Sequence, residues 1–88
     1  MTAKKKLTLD SPARYEIRIQ GALDESWKEY FSVVTMEVQN RPDEPPLTIA
    51  ICEFIDQAAL TGALSYVYNM GLPLLSVECI GIELDAPA

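Results

Sequence analysis

The 88-residue chain contains no histidine. That removes the side chain that most often acts as a general base at neutral pH, the relay of Ser-His and Cys-His nucleophiles, and the commonest zinc ligand. Cysteine is scarce as well. Cys52 and Cys79 stand apart in apolar runs with no CxxC spacing, so no thiolate metal framework is spelled, and the thiols are expected to be reduced in a cytoplasmic protein. No apolar segment follows Lys4, Lys5 and Lys6, which argues against a signal peptide or anchor. Charge is missing in one place: between Asp56 and Glu78 there is no charged side chain. Asn69, Gly71 and Pro73 break that stretch, so it does not read as a membrane span. The face of a surface helix turned from a small core normally carries Lys and Glu, so an uncharged face suggests that something other than water covers it.

What is present points to one folded domain. Residues are 49% hydrophobic and 23% charged, the balance of a globule rather than a disordered acidic chain. The net charge of −6 is unevenly spread. Residues 1–14 hold four bases against one acid, whereas residues 15–88 hold three bases against twelve acids. A basic tail over residues 1–14, a domain over 15–82 and a C-terminal tail over 83–88 are expected, with the first tail flexible in solution. An acidic domain repels phosphate backbones, so no nucleic-acid partner is expected.

Four segments have the two-residue period of strands and two read as helices. Tyr15 to Gln20 alternates strictly. Gly21-Ala22-Leu23 turns the chain, and Asp24 caps a short helix in which Trp27, Tyr30 and Phe31 fall at i, i+3 and i+4. Val33 to Gln39 alternates again. The prolines at 42, 45 and 46 make a hairpin loop, after which Leu47 to Phe54 resumes the strand period. Asp56 is placed to cap a long helix that Gly71 and Pro73 end, and Leu74 to Ile80 leaves it as a strand. The order predicts an α+β, ferredoxin-like βαββαβ two-layer sandwich with antiparallel sheet order 4-1-3-2 and both helices on one face. The other sheet face is then expected to be polar, showing Glu16, Arg18, Gln20, Thr35, Glu37, Thr48, Ala50, Cys52, Ser76 and Glu78.

The segment Tyr15 to Gly21 with Leu23, Asp24, Ser26 and Trp27, then Asp56-Gln57-Ala58-Ala59-Leu60, then Gly71-Leu72-Pro73-Leu74-Leu75-Ser76-Val77, resembles a family of small uncharacterised bacterial proteins. The resemblance spans residues 15–78 and implies no activity. The chain departs from that pattern at Thr61, Ser65, Tyr66 and Tyr68, where the family often carries His and basic residues. More distantly, the order of elements is similar to ACT-type ligand-binding regulatory domains, which would imply a small acidic or amino-acid ligand.

No base-nucleophile pair is visible, so no catalytic, metal or cofactor residue is assigned and a small enzyme on this fold is the least favoured reading. Gly21, Asp24 and Arg18 are the residues an ACT-like ligand would use, at a strand-to-helix turn and an adjacent base. The leading expectation is a non-enzymatic module that self-associates as a homodimer. Its contact face is assigned to Thr61, Gly62, Ser65, Tyr66, Tyr68 and Asn69 on the long helix, where two tyrosines and a glycine stand in place of charge.

Overall fold

The computed structural model describes residues 6–29 and 32–82. Ala13–Gln20 (β1), Val33–Arg41 (β2), Glu44–Phe54 (β3) and Leu74–Ile82 (β4) form one antiparallel sheet in the order β2-β3-β1-β4. Gln57–Asn69 (α1) covers one face. These neighbours are those of the order 4-1-3-2 read from the other edge. The ferredoxin-like βαββαβ sandwich is nonetheless corrected: the described residues hold one α-helix and not two. Among the described residues of the connection from β1 to β2 there is a five-residue 3-10 segment, Glu25–Glu29. The Asp24 carboxylate accepts from the Ser26 amide at 3.0 Å and from its hydroxyl, so the expected cap forms, and the Trp27 amide donates to the Asp24 carbonyl at 3.2 Å, the bond of a 3-10 turn. Tyr30 and Phe31, expected to complete that helix, lie outside the described residues, as do 1–5 and 83–88.

The long helix forms where its end signals put it. Asp56 is extended and accepts from the Ala59 amide at 2.9 Å. At the other end Gly71 takes φ +76°, its amide donates to the Tyr68 carbonyl at 2.9 Å, and the Leu72 amide reaches the Val67 carbonyl at 3.3 Å. That pair of bonds is a Schellman motif, and it turns the chain back toward β4.

The core lies between this helix and the sheet. Tyr15, Ile17 and Ile19 point into it from β1, Leu60, Ala63 and Val67 from α1. The register of β3 differs from expectation. Tyr15 pairs with Cys52, Ile17 with Ala50 and Ile19 with Thr48, so Thr48, Ala50 and Cys52 lie in the core and not on the open face. Paired residues share a face, and small β3 side chains opposite large β1 ones leave room for Trp27 and the helix. Ile49 and Ile51 point outward instead, half-buried among Arg18, Glu16 and Glu37. The open face is therefore aliphatic along β3 and charged beside it.

The proline segment also differs. Pro42 and Asp43 alone form the turn, because Arg41 already pairs with Glu44. Proline first and a positive φ second, here Asp43 at 64°, is the pattern of a type II turn. Pro45 and Pro46 belong to β3, in a stretch that extends past β1, whose pairing starts at Leu47. Before β1, the Leu9 carbonyl accepts from the Gln57 amide at 2.9 Å, and Thr8 and Ser11 hydrogen-bond to each other.

Candidate interaction surface

The residues assigned to a ligand are not brought together. The Gly21 amide donates to the Pro46 carbonyl at 2.7 Å, and its carbonyl accepts from the Thr48 hydroxyl at 2.6 Å. Asp24 is engaged with Ser26. Arg18 points to the open sheet face, opposite the face that Leu23 and Trp27 help cover, and its Nε donates to Glu16 at 3.0 Å. Glu16 stands directly across from Glu78, so Arg18 offsets a like-charge pair. Among the described residues no group of three His, Cys, Asp or Glu side chains could hold a metal ion. Arg14 pairs with Glu53 on the same face.

The two thiols have different surroundings. Cys52 is fully buried, and desolvation pushes its pKa up from 9.0 to about 11, so it is an inert core residue. Cys79 is half-buried on β4, and both are free.

The face assigned to association is largely open. Thr61, Gly62, Ser65, Tyr68 and Asn69 are exposed, with Tyr68 at 81%. Tyr66 is turned inward, its ring edge-on to Trp27 at 5.3 Å and 87°. A Cβ built on Gly62 would meet nothing within 4 Å, so no contact among the described residues accounts for a glycine there. Beyond the helix Met70, Leu74, Leu75 and Ile80 are exposed as well. The helical period could not find this extension, because it lies on a strand.

The irregularities of β4 explain its exposed side chains. Arg18 pairs with Ser76 and Ile19 with Leu74, so Leu75 is the residue left over; Tyr15 pairs with Cys79 and Arg14 with Gly81, so Ile80 is another. Both bulge from the ladder and are about half exposed. A shallow groove beside Ile80 is lined by Leu7, Cys79, Gly81 and Ile82. Among the described residues no helix is long and apolar enough to cross a membrane.

No match is found among curated proteins or solved structures. One family model does match, over residues 14–78, from the second residue of β1 to the middle of β4. The chain therefore belongs to the family described as a domain of unknown function, DUF8691.

Proposed function

We propose that the domain is a non-enzymatic module of the cytoplasm that self-associates as a homodimer, with the uncharged face of α1 contributing to the contact. One observation carries this reading: Gly62, Ser65 and Tyr68 are exposed on a helix with no acidic residue in its first turn and no basic residue in its last, and among the described residues nothing lies within 4 Å of a Cβ built on the glycine. A helix facing water gains solubility from charge, and a glycine in its interior costs about 1 kcal/mol relative to alanine. A covering partner makes sense of the missing charge. The ACT-like alternative rested on the βαββαβ order, and with a single α-helix that ground is gone. Gly21, Asp24 and Arg18, the residues it would use, are engaged elsewhere.

Sedimentation equilibrium tests the reading. The wild type should sediment at twice the mass of one chain, and the Ser65→Glu, Tyr68→Glu double variant should dissociate, because carboxylates desolvated in a contact are left unpaired. A wild type that sediments at one chain's mass would sink the proposal.

A further inference from the structure

Among the described residues β4 pairs with β1 on one side only, which leaves its other edge a row of backbone donors and acceptors. From Leu74 to Val77 that edge carries no charge, and Glu78 is the only charged residue in the strand. It contains neither proline nor lysine, two of the residues with which soluble proteins blunt such an edge, and only the bulges at Leu75 and Ile80 interrupt it. Resting on the self-association proposed above, we infer that a second copy of this chain seats antiparallel on the β4 edge about a two-fold axis at Val77, joining the two sheets into one.

Three features commit the edge to a second copy. The first is self-complementarity: exposed Leu74 and Leu75 sit at one end of β4, and the groove of Leu7, Cys79, Ile80, Gly81 and Ile82 lies at the other. Antiparallel pairing about Val77 sets Leu75 of each copy opposite Cys79 of the other, and Leu74 opposite Ile80, so each leucine pair meets a groove. The second is charge. In this register Glu78 faces Ser76 of the other copy, whereas an axis one residue later would oppose the two Glu78 carboxylates. An acidic chain can approach its own copy along a neutral strip with little repulsion.

The third is the placement of α1. It lies in the connection that crosses from β3 over β1 to β4, and the 3-10 segment lies in the connection that crosses from β1 over β3 to β2. Tyr66 meets Trp27 of that segment and so marks the β2 side of the helix. At about 100° per residue, Thr61 and Tyr68 fall on the opposite flank, above β4. A copy joined at β4 brings its own helix to this flank, and Tyr68 supplies a large amphipathic ring to the seam.

The test is a Leu75→Glu, Ile80→Glu variant, compared with Val34→Glu, Thr35→Glu on β2, which adds the same charge to the other sheet edge. All four positions are exposed, and circular dichroism establishes that each variant is folded. Sedimentation equilibrium should show self-association weakened about a hundredfold or more in the β4 variant, as desolvated, unpaired carboxylates cost, and little changed in the β2 variant. Hydrogen exchange on the wild type supplies a reading independent of any substitution: amides within 74–82 should slow as concentration rises, and those of β2 should not. A wild type that pairs while its β4 variant pairs as tightly, or while β4 exchange ignores concentration, overturns the seam and leaves self-association standing. A wild type that stays a single chain removes both.

Discussion

Among the described residues β2 and β4 each have a partner on one side only, yet their outer edges carry different chemistry. β2 reads Val-Val-Thr-Met-Glu-Val-Gln-Asn-Arg, with Glu37 near its middle and Gln39, Asn40 and Arg41 toward its end. β4 reads Leu-Leu-Ser-Val-Glu-Cys-Ile-Gly-Ile. Irregular register does not separate them, because both strands are bulged at two places. Composition does. β2 exposes Val34 at one bulge but Asn40 at the other, and polar residues fill its second half, whereas β4 exposes an aliphatic side chain, Leu75 or Ile80, at each of its bulges. Their covers differ in the opposite sense: α1 is a capped helix of 13 residues, and the connection leading to β2 contributes a 3-10 segment of five.

The largest effect should therefore come from the thin cover. Trp27 is the buried residue of that segment, and it anchors Tyr66 edge-on. Trp27→Ala should cost about 3–5 kcal/mol in denaturant unfolding, from lost burial plus the cavity left behind. Hydrogen exchange should quicken in β2 before β4. Equal quickening in both strands would show that the two halves share one cover.

The next effect contrasts the thiols. Cys52 has its pKa raised to about 11 from 9.0, so the folded state keeps the thiol neutral where the unfolded chain ionises it. The stability it confers is whole below pH 9 and is lost as pH rises through 11, to a total of about 3 kcal/mol. Urea unfolding at pH 8 and 10.5 measures it, and Cys52→Ala should flatten the difference. At neutral pH a thiol reagent should modify half-buried Cys79 first, and Cys52 only as the protein unfolds. Smaller again is Thr48→Val. The Thr48 hydroxyl accepts from the Leu23 amide at 3.1 Å and donates to the Gly21 carbonyl at 2.6 Å, tying the β1 exit to β3. Valine keeps the volume and leaves both groups unpaired, at a cost of about 2 kcal/mol by thermal or urea unfolding. Serine at the same position should recover most of it.

These contrasts were only partly legible in the chain. The caps of α1 were, because Asp56 and Gly71 act through backbone chemistry local to the helix ends. The alternation of β1 was, because one parity is apolar and the other polar. The face of β3 was not: Leu47, Ile49 and Ile51 on one parity and Ala50, Cys52 and Phe54 on the other are all apolar, so period cannot choose between them and pairing with β1 does. Of the short helix the cap was legible, since Asp24 does bond the Ser26 amide, but the segment it starts is 3-10 over Glu25–Glu29. Of the association face, exposure of Thr61, Ser65 and Tyr68 followed from the missing charge, but Tyr66 was claimed by a tryptophan from another element. The β4 extension depends on which residues bulge, a property of register that single-strand patterns do not contain.

Gly62→Ala is the smallest change and separates two versions of the contact. Gly62 lies inside α1, and an added Cβ meets nothing within 4 Å, so alanine should stabilise the fold by about 0.5–1 kcal/mol through a narrower unfolded ensemble and better helix propensity. On a seam at β4, Gly62 stands about 120° round the helix from Tyr68, past the crest toward Tyr66 and away from the β4 flank. Association should then be unchanged while the melting temperature rises. If the helices instead meet on the Gly62 side, a methyl at the point of closest approach holds them apart, and sedimentation would show a weaker dimer from a more stable chain. That second outcome would move the contact off the β4 edge and leave both edges of the sheet to water.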